Sequence, residues 1–254
     1  MTTDATIWAL LVRELDRWHA AGKTATFWLR DDDAILPTAA LDQLLDVTAR
    51  HQAPVTLAVI PAGTGVPLAD RLSQASHAAV AVHGWAHVNH ASQGEKKQEL
   101  GGPARPAETV LAELEAGFGR LVDLFGVRFV PLLVPPWNRI DMDLLPFLDD
   151  IGFTALSVYG AEKPSPIRML NTHVDVMDWH GTRGGRDHAV LVGETVARLQ
   201  RIFADGGTVG VLTHHLVHDE TVWDFLDGLF SATCGHPACR WASVKDILAD
   251  SGRA

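Results

Sequence analysis

The sequence predicts an α/β domain built on parallel strands, a barrel or an open doubly wound sheet, and three observations carry that prediction. Short apolar runs alternate with segments of helical periodicity over the whole length. Runs such as Val55-Thr-Leu-Ala-Val-Ile60 are apolar on both faces, as strands buried on both sides must be. Polar residues gather just beyond the C-terminal ends of those runs, where parallel α/β folds place their chemistry.

Taken in order, Thr6 to Ala20 carries Ile7, Leu10, Leu11, Leu15 and Trp18 at helical spacing, and Gly22-Lys23 ends that helix. Its extent is read as residues 4–21, packed on the barrel. Ala25 to Leu29 is the first strand and leads into the charged stretch Arg30-Asp31-Asp32-Asp33. Pro37-Thr38 opens a helix to Arg50, and Pro54 precedes the second strand. A short helix spans Val66 to Ala75, and the strand Ala78 to Val82 runs into His83. Asn89 to Arg105 reads as a long polar loop. Then come a helix from Pro106 to Leu124, a strand Arg128 to Val134, a helix Asp141 to Asp150 and a short strand Thr154 to Val158. Thr172 to Trp179 reads as a strand and its exit, and Gly181 to Gly185 as a flexible linker or lid. A helix His188 to Ala204, a strand Thr208 to Thr213 and helices Glu220 to Leu229 and Ser243 to Ala249 complete the chain, residues 1–254 forming one domain.

The 254 residues, 47% hydrophobic, suffice for one full-sized core. A net charge of -10 removes the usual electrostatic drive toward nucleic acid or anionic membranes, so neither is expected as a partner. Met1 to Thr6 lacks a basic leader, and charges at Arg13, Glu14, Asp16 and Arg17 interrupt the following segment. No apolar run reaches spanning length, and a cytoplasmic location is expected. Cys234 and Cys239, with His236 between them, supply three local ligands where a structural zinc site uses four, so they read as reduced thiols in a loop.

Three adjacent carboxylates repel one another and cannot enter a core unpaired, so positive charge is expected against Asp31, Asp32 and Asp33. His83-Gly-Trp-Ala-His87 offers it: two imidazoles four apart on one helical turn face the same point. Two imidazoles and a carboxylate are the ligands of many catalytic metal sites. His90 competes with His87 as second ligand. His215 and His218 extend the site or cap a helix, His173 and His180 read as loop groups, and Trp223 reads as core or pocket wall.

Asp32-Asp33, His83-x-x-x-His87, Pro135-Pro136-Trp137, Val174-Asp175-x-x-Asp178-Trp179 and Leu212-Thr213-His214 stand in the order of five motifs. The set resembles the polysaccharide deacetylase family, the nodulation-deacetylase homology group or carbohydrate esterase family four, over Thr24 to His214. The resemblance implies a deformed (β/α) barrel with about seven parallel strands, a divalent metal, zinc foremost, and hydrolysis of N-acetyl groups on amino sugars. It makes Asp32 the general base and Asp33 a metal ligand with His83 and His87. One place earlier, the pair becomes Asp31 and Asp32. His214 becomes the acid, oriented by Asp175, and Trp137 the backbone oxyanion donor.

The family's third-motif Arg falls at Val134 here, with Arg139 or Arg30 taking its place by charge alone. Pro136, Trp137, Trp179 and Asp31 are expected at the substrate, with Asp31 paired to Arg30 or Arg139. The expected substrate is a small molecule or oligosaccharide bearing an N-acyl group. Two other readings remain: hydrolysis of a non-sugar amide, and a non-catalytic carbohydrate-binding protein with a degenerate site. Oligomeric state is not set by the sequence.

Overall fold

A computed structural model describes residues 4–250. Residues 1–3, on which the leader reading partly rests, and 251–254 lie outside them. The fold is α/β, of the deformed (β/α) barrel class, with nine strands among the described residues, four of them only two or three residues long. The chain divides into two compact units, each described by itself.

The first unit is built on residues up to 31, 38–55 and from 172 onward. It holds α1 (Asp4–Ala20), most of β1 (Ala25–Ala34) and α2 (Ala39–Arg50). The later part adds β7 (Val174–Asp175), α6 (His188–Ile202), β8 (Thr208–Thr213), α7 (Glu220–Thr233), β9 (Cys239–Trp241) and α8 (Val244–Asp250). β8 lies between β1 and β7, parallel to both, and β9 pairs with the start of β1. The register sets Asp31 opposite Thr213. α1 buries Leu11, Leu15 and Trp18 and packs on α6 and α7. Side-chain oxygens cap the helices: Thr38 accepts from Leu41 N, Asp187 from Val190 N and Asp219 from Val222 N.

The second unit comprises 32–37 and 56–171. It holds the end of β1 and nearly all of β2 (Val55–Val59), which is buried at every residue. α3 (Val66–Ser73), β3 (Ala78–His83), α4 (Ala107–Phe125), β4 (Phe129–Val134), α5 (Leu148–Ile151), β5 (Ala155–Leu156) and β6 (Arg168–Met169) follow. β3, β4, β5 and β6 pair successively in parallel. The long α4 lays Val110, Leu114, Leu121 and Phe125 on the core, and Gly117 lets Pro61 approach within 3.0 Å of where a Cβ would stand.

Five local expectations change. β1 runs through the Asp triplet to Ala34, so these carboxylates belong to the strand and not to a loop after it. The stretch 141–150 is a 3-10 segment, Met142–Phe147, followed by the single turn α5, because Pro146 has no N–H to give an α-helical ladder. The strand expected over 172–179 shrinks to Val174–Asp175. The glycines 181–185 are pinned: Asp178 accepts from Gly181 N and Thr182 N, and Asp219 from Gly185 N. Cys239 opens a strand and does not lie in a loop, and both thiols are free.

Candidate metal centre

β1 delivers Asp32 and Asp33 at its C-terminal end. Asp32 is buried, whereas Asp33 takes φ of 74° and turns its carboxylate out of the strand alternation. β3 ends on His83, which is almost fully buried. Its Nδ1 lies 2.9 Å from the carbonyl of Val134, which can only accept, so Nδ1 carries the proton and donates it. Nε2 is thereby the atom left to face Asp33 Oδ1, at 3.1 Å. A backbone carbonyl that fixes the second nitrogen of an imidazole is the usual support behind a ligating histidine.

His87 reaches the same oxygen, its Nε2 3.3 Å from Asp33 Oδ1. The route differs from the helical turn expected from the i,i+4 spacing. Residues 84–90 are loop, entered through Gly84 at φ 58° and turned again by His87 itself at φ 57°. Each such residue other than glycine costs on the order of 1–3 kcal/mol and persists only where its surroundings enforce it. Asp33, His87, Trp137 and Asn138 are four of the six non-glycine positive-φ residues described. Backbone strain therefore concentrates here.

Among the described residues, Asp33, His83 and His87 form a group whose ligand atoms all lie within 4.8 Å of one another. A carboxylate oxygen and two imidazole nitrogens directed at one another need positive charge between them, supplied by a proton or a cation. The two histidines respond oppositely. Burial works against charging His83, yet the hydrogen bond its imidazolium donates to Asp33 and the charges of Asp32 and Asp33 override it and raise its pKa. Burial, reinforced by the neighbouring His83, lowers that of His87. One carboxylate and two histidines, partly open to solvent at Asp33 and His87, fit a tetrahedral divalent ion with one position left for water or substrate.

Trp137 stands at φ 53° in the 3-10 turn Pro136–Asn138. The hydrogen bonds that close this turn, Asn138 N to Pro135 O and Arg139 N to Pro136 O, do not use the Trp137 N–H. Its ring lies 4.3 Å from that of His87, and Lys97 Nζ sits 5.7 Å from the indole centroid. Arg139 donates to the carbonyl of Lys97. Val134, at the position of the family's Arg, is fully buried in the core. His90 is exposed, with its backbone N–H on Gln98 O, and is not in the ligand group.

Glu99 went unnoticed in the sequence. It is only 1% exposed and accepts three backbone N–H groups, those of Trp85, Ala86 and Val88. Nothing in its local pattern marks it, since it lies in a polar stretch with Glu95, Lys96 and Lys97.

The first unit carries its own cluster. Asp31, 0% exposed, accepts from Thr213 Oγ1 at 2.7 Å and His215 N at 2.9 Å and pairs with His215 Nδ1. These partners replace the Arg30 or Arg139 expected for it. Fully enclosed and bonded through both oxygens, Asp31 has no face for a substrate, which corrects the substrate-binding role expected of it. Thr213 and His215 flank His214, so Asp31 holds the turn that carries His214 from both sides. His214 N donates to His218 Nε2, and the His214 ring meets that of Trp179 edge-on at 4.7 Å. The Trp179 indole N–H donates to Asp175 Oδ2, whose other oxygen accepts from Met177 N. Burial, with the nearby His215 and His214 charges, depresses the pKa of His218 to about 4 despite Asp31.

No family model matches the chain, and no curated protein sequence matches it. Solved structures do. A Mycobacterium smegmatis protein described as a polysaccharide deacetylase superposes with a TM-score of 0.69 at 16% identity, over 90% of each chain. A family 4 carbohydrate esterase from Streptomyces lividans, solved with acetate, gives 0.57 at 14%, over 87% of this chain and 92% of that one. A family 4 acetyl xylan esterase from Clostridium thermocellum, solved with a cobalt ion, gives 0.57 at 11%, over 89% and 92%. No helix among the described residues is long and apolar enough to cross a membrane. At these identities the likeness speaks for architecture, and the chain has the fold of the carbohydrate esterase family four deacetylases and esterases.

Proposed function

We propose that this chain is a metal-dependent hydrolase that removes an acyl group, with the N-acetyl group of an amino sugar or oligosaccharide as the leading substrate. The observation that carries the reading is the convergence of Asp33 Oδ1, His83 Nε2 and His87 Nε2, with buried Asp32 next in the chain. The named activities of proteins with this fold, polysaccharide deacetylation and acetyl xylan esterolysis, support the same chemistry.

Asp33, His83 and His87 would hold the ion, for which zinc is the leading candidate. Bound there, a divalent cation would polarise an acyl carbonyl and lower the pKa of a water toward neutrality. Asp32, excluded from solvent and not among the ligands, takes the proton as water attacks. The Trp137 N–H donates to the oxygen on which negative charge develops. His214 is assigned to protonate the leaving nitrogen, with Asp175 assigned to orient it. Pro136, Trp137, Trp179 and Arg139 remain assigned to substrate and site electrostatics. An ester substrate needs less help at its leaving oxygen, so His214 discriminates the two acyl classes.

The test is metal content by mass spectrometry together with acetate release from N-acetylated amino sugars and O-acetylated xylo-oligosaccharides. Wild-type protein is expected to hold about one divalent ion per chain, and His83→Ala to hold none. Asp32→Asn should retain the ion and lose turnover by about 10²–10⁴-fold. An unchanged metal content in His83→Ala would overturn the ligand assignment. Loss of metal in Asp32→Asn would move the ligand role one residue earlier.

A further inference from the structure

We infer that Glu99 is the positioning residue that holds His87 in the metal-binding set, acting through the backbone of residues 85–88 and not by touching the ion. The inference rests on the metal reading above.

His87 does not ride on a regular element. It sits on loop backbone that reverses twice through left-handed residues, Gly84 and His87, so ordinary secondary structure does not direct its imidazole toward Asp33. Glu99 supplies what is missing. Its Oε2 accepts from Trp85 N at 3.1 Å, and its Oε1 from Ala86 N at 2.8 Å and Val88 N at 3.3 Å. These donors lie on both sides of His87. An enclosed carboxylate is costly unless its charge is compensated, and here successive N–H groups wrapped around it do so, with the added strength of charge-assisted hydrogen bonds.

The surroundings are built to admit this carboxylate. A Cβ at Gly84 would fall 2.0 Å from Glu99 Oε2 and 2.6 Å from Pro136, so glycine is needed for space as well as for its φ of 58°. Behind Glu99, Arg105 donates through Nη1 to the Glu99 carbonyl at 3.1 Å and pairs through Nη2 with Glu113 of α4. Glu99 is thus anchored on its own backbone side while its carboxylate shapes the loop of a ligand. Such supports are typically worth about 10–100-fold in metal affinity.

The experiment is a zinc titration of the whole protein by competition with a chelator of known affinity. It compares wild type, Glu99→Gln, Glu99→Ala, His87→Ala and the double variant His87→Ala/Glu99→Gln. Glu99→Gln preserves size but turns an amide N–H₂ toward backbone donors, so it carries the test even if Glu99→Ala does not fold. The expected result is zinc affinity weakened about 10–100-fold by Glu99→Gln, with no further weakening when the same change is made in His87→Ala. Wild-type affinity in Glu99→Gln would overturn the inference. So would a loss of equal size in both backgrounds, which would make Glu99 a support of the fold at large. Failure of wild type itself to bind zinc would instead overturn the metal reading, and this inference with it.

Discussion

Replacing Asp31 by Ala should be among the most destabilising single changes in the protein, for reasons that can be counted. The substitution leaves the Thr213 hydroxyl, the His215 backbone N–H and the His215 imidazole without their common acceptor, at a point where Asp31 and the His215 side chain are both 0% exposed. Removing one partner of a buried ion pair costs about 3–5 kcal/mol, against a total stability of roughly 5–15 kcal/mol for a folded domain. For a chain of this length about 2–4 °C accompanies each kcal/mol, so the midpoint should fall by about 6–20 °C in calorimetry. Asp31→Asn should cost less, about 1.5–3 kcal/mol, because the amide oxygen still serves Thr213 and the His215 N–H. The pH dependence is signed. Burial opposes ionisation of Asp31, but the charge and hydrogen bond of His215, the charge of His218 and the Thr213 hydroxyl win, and its pKa is held below 3.8. Its contribution is therefore complete above about pH 4 and disappears as acid takes the pH through the folded value. The gap between wild type and Asp31→Asn should stay level from neutral pH to about 5 and close below 3.8. An Asp31→Ala midpoint within 2 °C of wild type would refute the reasoning.

Two further perturbations probe other residues. Gly84→Ala places a methyl on Glu99 Oε2 and Pro136 at a left-handed residue; zinc titration should show an affinity loss at least as large as that of Glu99→Gln, and wild-type affinity would mean that the loop bends freely. His218 is held neutral by burial, with a pKa of about 4 against an ordinary 6.5, so the unfolded chain binds the extra proton between those values and stability should fall as pH drops through that window. Urea denaturation at pH 7 and 4.5 should show a smaller pH effect in His218→Gln than in wild type, and an identical effect would exclude His218 as its source.

Much of this was legible from residue order, and the failures have specific physical causes. Apolar periodicity locates the principal strands and helices because burial on one or both faces is written locally; β6 and β9, two and three residues long, offer no such pattern. His83 and His87 are recognisable as partners from their chemistry, yet the helical turn used to join them does not exist. Their meeting depends on left-handed backbone at Gly84 and His87, and on a carboxylate from a distant loop position. The glycines 181–185 suggest freedom, but freedom of φ is also what lets a chain fold tightly around Asp178 and Asp219.

The Asp triplet divides the two kinds of information. That three adjacent carboxylates need compensating positive charge, and that histidines elsewhere are suited to provide it, follows from charge and solvation and is fully present in the sequence. Which histidine serves which carboxylate is not. The register of β1 on β8 sets Asp31 opposite Thr213 and hands it to His215, while a positive φ at Asp33 turns the third carboxylate toward His83 and His87. Residue types determine what must be paired; strand register and backbone handedness, which only tertiary packing sets, decide with whom.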